Sequence, residues 1–345
     1  MIDPSLSGAT SGAYHSVQVS VDVRLNVNES PLAPPGGFSE RLGERLATLS
    51  LNRYPDRGAR EVRAAIARRE GRLPEEVFVA NGSNEVLQTL FLAYGGPDRK
   101  VYLAQPTYGM YSQIAKTTRT AVVEGRRREN WRLDRGDIIE AGAEVVVICD
   151  PNNPTGLEEL DGLSSIAAER PGSLFVVDRA YGDFAEGLEP WRGPNVVEVK
   201  TFSKAFGMAG LRLGYAIAEP EVVEVLYSVV LPYHLDSLKQ QAALVALEME
   251  VELSSVVGEV KRERDMLMDE LDSLPVSYWR SSTNFVLFSP RNRQARAVWS
   301  ALVERSILVR DSSTWPGLDN TLRVTVGTPE ENALFIKALR EVLAG

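Results

Sequence analysis

Between about residue 59 and residue 218, short β-branched runs alternate with stretches whose apolar positions recur at helical spacing. The runs "VFVA" (77–80), "KVYLA" (100–104), "EVVVICD" (144–150), "SLFVVD" (173–178) and "VVEVKT" (196–201) read as strands, with helix candidates such as Asn84–Ala93 and Leu160–Glu169 between them. These strands are continuously apolar, which is the pattern of strands buried on both faces. It predicts a mainly parallel sheet sandwiched by helices, an α/β architecture. In such sheets ligands bind beyond the carboxyl ends of the strands. The polar segments "NGSNE", "QPTYGMY", "DPNNPTG", "DRAYGDF" and "TFSK" each follow one of the five strands, so they are expected to converge on one site.

After about residue 234 the texture changes. "SLKQQAALVALEMEVELSSVVGEVKRERDMLMDEL" is a long amphipathic helical pattern with room for one break, and "VSYW" with "NFVLF", "ILVRD" and "TLRVTV" read as strands. "PEENALFIKALREVL" (329–343) closes the chain as a helix with Thr328 as its N-cap. This predicts a large domain over 45–234, and a smaller α+β domain formed by 235–345 together with an N-terminal arm, 1–44. The arm is too short to fold alone and is expected to pack on the small domain or on a neighbouring subunit.

Of 345 residues, 44% are hydrophobic and 25% charged, the balance of an ordinary soluble protein, and the net charge of −9 disfavours a nucleic-acid partner. One cysteine, Cys149, excludes a disulfide framework within the chain and fits a cytoplasmic location; inside "EVVVICD" it reads as core packing. Two histidines, His15 and His234, give poor support to a metal site. Neither a secretory h-region nor 18 consecutive apolar residues are found, so no membrane partner is expected.

An acidic chain that binds a phosphorylated ligand needs a local cationic pocket, and the strand-end segments supply one. Lys204, read alone, is a surface lysine at a strand-to-helix turn. Among these loops it is also the one nucleophilic amine able to form a Schiff base with a carbonyl compound. Asp178, at the end of its strand, is placed to hold the proton of a ring nitrogen and so keep a pyridinium charged as an electron sink. Asn153 and Tyr181 suit a phenolate oxygen, and Tyr108 could stack on a flat ring. At the phosphate end, the backbone N–H groups of Ser83 and Asn84 open a helix, Thr201 and Ser203 add hydroxyls, and Arg212 adds a planar fork. Singly, Asp178 reads as a helix cap, Asn153-Pro154 as a turn and Arg212 as a salt-bridge partner. Together, in sheet order, they describe a site for pyridoxal 5'-phosphate.

The motifs "LNVNESPLAPP", "RYPD", "NGSNE", "PTYGMY", "PNNPTG", "VVDRAYGDF", "TFSKAFGMAGLRLGY", "VRD" and "LRVTVGTPEEN" span nearly the whole chain. In order and spacing it resembles the fold-type I pyridoxal-phosphate-dependent aminotransferases, and most closely the histidinol-phosphate aminotransferases. The resemblance implies that Lys204 holds the cofactor covalently and then shuttles protons. Asp178 would partner the pyridine nitrogen, Asn153 and Tyr181 would partner O3', Tyr108 would stack on the ring, and Ser83, Asn84, Thr201, Ser203 and Arg212 would cradle the phosphate. Tyr54 in "RYPD" would reach the cofactor phosphate of the other subunit of a homodimer. Arg323 would clamp a substrate carboxylate, and Arg310, Asn28 and Tyr14 would meet the rest of the substrate. The implied reaction exchanges an amino group between histidinol phosphate and 2-oxoglutarate in histidine biosynthesis. An aminotransferase for aromatic or other amino acids and a threonine-phosphate decarboxylase use the same scaffold. A non-catalytic cofactor-binding regulator would carry a DNA-binding module, for which residues 1–20 leave no room. Two departures bear on the substrate. Ser30 stands in "NESP" where the family usually has asparagine, and Arg179 stands in "DRAY" where it has an acid.

Overall fold

The computed structural model describes residues 19–159, 162–188 and 190–344; Tyr14 and His15 lie outside them. In chain order the strands are β1 (Val23–Leu25), β2 (Val77–Ala80), β3 (Lys100–Gln105), β4 (Ala121–Arg126), β5 (Val145–Cys149), β6 (Leu174–Asp178), β7 (Val196–Thr201), β8 (Gly214–Ile217), β9 (Val276–Tyr278), β10 (Phe285–Pro290), β11 (Ile307–Asp311) and β12 (Leu322–Thr325). The helices are α1 (Phe38–Ala47), α2 (Arg60–Glu70), α3 (Ser83–Tyr94), α4 (Met110–Thr118), α5 (Arg135–Glu140), α6 (Ile166–Glu169), α7 (Pro220–Val229), α8 (Ser237–Glu248), α9 (Glu250–Asp272), α10 (Ala295–Glu304) and α11 (Pro329–Ala344).

Seven strands form the large sheet in the order β2-β8-β7-β6-β5-β3-β4, parallel from β7 through β4, with β8 antiparallel to both its neighbours. The continuous apolar runs are buried on both faces, as their pattern predicts. Val101 and Leu103 of β3 join Val145 and Val147 of β5 under α3, α4 and α7. Tyr102, Ala104, Val146 and Ile148 point the other way, into a second layer with Ile138 of α5 and Ile166 of α6. Each aliphatic side chain buried like this contributes about 1.5–3 kcal/mol relative to exposure.

A second sheet has the order β1-β11-β12-β10-β9. The arm strand β1 pairs in parallel with β11, Val23 opposite Ile307, so the arm packs on the small sheet, one of its two expected places. The long helical pattern breaks once, at Met249 between α8 and α9. Thr328 caps α11 reciprocally: the Glu331 N–H donates to its hydroxyl (3.2 Å), and its own N–H donates to the Glu331 carboxylate (2.9 Å).

Two expectations need correction. Of the helix expected over Leu160–Glu169, residues 160 and 161 lie outside the described residues, and the remainder forms one 3-10 turn, Leu163–Ser165, and the four-residue α6. Gly162, at φ 74°, sets the chain in the left-handed region just before them. Lys204 does not stand at a strand-to-helix turn either. After β7 the chain makes a tight turn and one 3-10 turn, Ala209–Leu211, then returns antiparallel as β8. Among the described residues no helix is long and apolar enough to cross a membrane.

Candidate active site

The carboxyl ends of β3, β5, β6 and β7, with the start of α3, open into one cavity of about 490 Å³. It is lined by Asn28, Ser83, Asn84, Tyr108, Asn153, Asp178, Tyr181, Thr201, Ser203, Lys204, Arg212, Arg310 and Arg323, all singled out in the sequence. Tyr54 is not brought there. It is exposed elsewhere on this chain and stacks on Tyr233 at 4.5 Å.

The turn that carries Lys204 is fixed from beneath. Phe202 is fully buried and stacks on Phe206 with ring centroids 4.3 Å apart, and the Met208 N–H donates to the Phe202 carbonyl (3.0 Å). The Lys204 Nζ therefore projects up into the cavity, where it donates to the carbonyls of Asn28 (2.8 Å) and Val27 (3.2 Å). Burial pushes its pKa down to about 7. The Arg323 and Arg212 guanidiniums add to the fall, while Glu29 opposes it. An amine with that pKa is about half neutral at pH 7, and the neutral form is the nucleophile.

Asp178 ends β6 and is buried. One carboxylate oxygen accepts from the Tyr111 hydroxyl (2.7 Å) and the other from the Ala180 N–H (2.9 Å). Burial raises its pKa and the two hydrogen bonds restrain the rise. Tyr111 was missed in the sequence, although "PTYGMY" places it one helical turn after Tyr108. The two rings meet edge to face at 5.5 Å. Cys149, read as core packing, is buried and also lines the cavity as the register partner of Asp178. Burial pushes its thiol well up, and Asp178 adds to the shift, so it is no nucleophile.

The Tyr181 hydroxyl accepts from the Asn28 amide (2.9 Å) and lies 3.4 Å from the Asn153 amide. Burial raises its pKa, against the pull of Arg323. The Asn153 side-chain Oδ1 accepts from Arg323 (2.6 Å), which also donates to the Asn26 backbone carbonyl (3.2 Å). Asn28 is thus tied into both halves of the site. Its N–H donates to the Thr325 hydroxyl (2.9 Å), and its backbone is left-handed at φ 56°.

At the far end, the Arg212 Nη1 donates to the Ser203 hydroxyl (3.1 Å), and Ser203 exchanges hydrogen bonds with Thr201. They face the first turn of α3, where the Ser83 and Asn84 N–H groups precede the first bonds to the Gly82 carbonyl and carry the positive end of the helix. Here glycine is required twice. Gly82 has φ 82°, and a Cβ on it would stand 2.7 Å from the Arg212 Nη2. A Cβ on Gly214 would stand 2.3 Å from the Ser83 nitrogen. Neither departure residue lines the cavity. Arg179 turns away into a buried ion pair with Asp150 (3.1 Å), and the Ser30 hydroxyl donates to the Leu32 carbonyl (3.1 Å).

A nucleophilic amine, a buried carboxylate and an anion-binding helix start at one sheet edge define a site for a phosphorylated aldehyde cofactor. The family profile described as "Aminotransferase class I and II" matches residues 21–339. The chain belongs to that family and is an aminotransferase. Within it, the chain is 43% identical to a histidinol-phosphate aminotransferase of Streptomyces avermitilis, over 95% of this chain and 93% of that protein. It is 41% identical to one of Frankia casuarinae, over 96% of this chain and 88% of that protein. In fold it is similar to the histidinol-phosphate aminotransferase of Sinorhizobium meliloti solved with pyridoxal-5'-phosphate. The TM-score there is 0.83 at 22% identity, covering 94% of this chain and 91% of that one.

The family's cofactor is pyridoxal 5'-phosphate, and the residues present fit it. Lys204 is an amine for the aldehyde and Asp178 a carboxylate for a ring N–H. The Gly82 cradle, which a Cβ would fill, opens on Arg212 and the start of α3, as a phosphate group needs.

Proposed function

We propose that this chain exchanges an amino group between histidinol phosphate and 2-oxoglutarate, giving imidazole acetol phosphate and glutamate, a step of histidine biosynthesis. The observation that carries the reading is the pairing of Arg310 with Arg323. They are register partners on β11 and β12, and both line the cavity that holds Lys204. One half-reaction brings a phosphate and the other two carboxylates, and guanidinium forks suit both. The high identity to relatives named for this activity supports the same substrate.

In this reading Asp178, supported by Tyr111, holds a proton on the cofactor's ring nitrogen. Asn153 and Tyr181 hold its phenolic oxygen, and Tyr108 covers its ring. Ser83, Asn84, Thr201, Ser203 and Arg212 hold its phosphate. When bound, the cofactor supplies an electron sink that lets the amino-bearing carbon of the substrate give up a proton. The Lys204 Nζ takes that proton and returns it, and its lowered pKa suits both directions near pH 7. Arg323 clamps a carboxylate, while Arg310 and Asn28 meet the distal end of the substrate. A homodimer completes each site, with Tyr54 of one subunit reaching the cofactor phosphate of the other. The single buried cysteine supports a cytoplasmic location.

The test is spectroscopic. Purified protein loaded with pyridoxal phosphate is mixed with histidinol phosphate and no oxo acid, and in parallel with phenylalanine or threonine phosphate. The expected result is that histidinol phosphate converts the cofactor to its amine form and 2-oxoglutarate reverses the change. Discharge by another amine alone, or release of carbon dioxide from threonine phosphate, contradicts the substrate.

A further inference from the structure

We propose that Trp315 is a positioning residue that holds Arg310 and Arg323 together as one receiver for substrate anions. The proposal rests on the reading above only in that the cavity takes anionic substrates. Arg310 and Arg323 face each other across the antiparallel β11–β12 ladder, so their side chains rise on the same face of the sheet. Like charges at directly opposed positions repel, more so where water is partly excluded. The connection between the two strands folds back over the pair. The Trp315 ring centroid lies 5.7 Å from the guanidinium carbon of Arg310 and 5.7 Å from that of Arg323. Both distances fall within the roughly 6 Å over which a π face attracts a cation. One ring therefore serves two cations.

The connection is built to keep the ring there. The Trp315 backbone N–H donates to the Ser312 carbonyl and the Leu318 backbone N–H to the Trp315 carbonyl, each at 3.0 Å. Ser312 and Leu318 are fully buried, and the Ser312 hydroxyl meets that of Thr321 at 3.0 Å. From the large-sheet side, the Trp131 ring backs Gly317, 3.6 Å from where a Cβ would stand, and meets Trp279 edge to face. Trp315 itself is half-buried, lining the cavity.

The chemical consequence is specific. A ring engages the guanidinium by its face, whereas the donors lie in the guanidinium plane. Trp315 thus offsets repulsion between the two arginines without competing for the anion.

The experiment uses the cofactor-loaded protein and glutarate, a dicarboxylate without an amino or oxo group, with its Kd read by calorimetry. Trp315→Leu is expected to weaken glutarate about tenfold and to raise KM for 2-oxoglutarate in parallel, with kcat within about twofold. Trp315→Phe, which keeps a ring, should stay within about threefold of the parent for both. Unchanged binding in Trp315→Leu overturns the proposal, as does a Trp315→Phe no better than Trp315→Leu. A fall in kcat together with a lowered Tm assigns the residue a merely structural role and also overturns it. Failure of the parent protein to react with histidinol phosphate strikes the substrate reading alone, because the glutarate comparison involves no amino donor.

Discussion

Burial decides the charge state of Lys204, and the consequence for stability can be given a sign. In the unfolded chain its amine titrates at the ordinary 10.5 and in the fold at about 7. Between those values the unfolded chain holds a proton that the native protein does not. Stability contributed by this site therefore rises with pH across that window, and the penalty is fully present below about 7. In cofactor-free protein, Lys204→Met should be more stable than the parent below about pH 7, and the gap should close as pH approaches 10.5. Urea titrations at a series of pH values measure it. A gap independent of pH would mean that the amine is solvated like any surface lysine. Lys204 stood out in the sequence because hydroxyls, glycines and Arg212 surround it. Tyr111 did not, because its role comes from one helical turn that brings its hydroxyl onto Asp178. Trp315 was equally hidden. Nothing in "SSTWPG" shows that its ring returns over Arg310 and Arg323.

At the scale of elements, the central strands were legible because β3, β5, β6 and β7 are β-branched runs. Two strands were not, the edge strand β4 and the interior strand β8. β4 is largely exposed and carries Glu124 and Arg126, so its composition reads as loop. β8 is four residues long and begins with Gly214, and it lay inside a segment read for its chemistry. Its glycine has a structural job, letting β8 approach the first turn of α3 so closely that any Cβ meets backbone rather than a flexible side chain. Gly214→Ala should therefore displace the helix start, costing about 1–3 kcal/mol of stability and weakening the cofactor by at least its phosphate contacts. Urea denaturation of the cofactor-free protein and a cofactor titration read the two effects separately. A variant equal to the parent in both would show that the α3 start is not the phosphate site. Beneath β7, Arg69 ties four elements together. It pairs with Glu70 of α2, Asp183 after β6 and Glu250 of α9, and donates to the Tyr215 hydroxyl on β8. Lys200 of β7 joins through Glu70. This network braces the strand that presents Lys204.

At the scale of the molecule, a chain of net charge −9 gathers Lys204, Arg212, Arg310 and Arg323 around one cavity against Asp178 and Glu29. The surface repels polyanions while the pocket attracts small ones. The order of the strands brings these charges together, because loops far apart in sequence end at one sheet edge. Pattern alone predicted that convergence, but not the distances within it. Tyr54, exposed on this chain, raises the question of a second subunit. If it serves the neighbouring site, mixing Lys204→Ala with Tyr54→Ala protein should regenerate native sites in hybrid dimers. Each such site would combine the lysine of one subunit with the tyrosine of the other, and activity should exceed that of either variant. A mixture no better than the sum of its parts would place Tyr54 outside the site.

The central claim is that Lys204 holds the cofactor, and reductive trapping tests it most directly. Protein loaded with pyridoxal phosphate is treated with borohydride, digested, and its peptides mapped by mass. The account expects one phosphopyridoxyl group per chain, on Lys204 within "TFSKAFGMAGLR". A modification on another lysine, or none in a protein that still transfers amino groups, would contradict it.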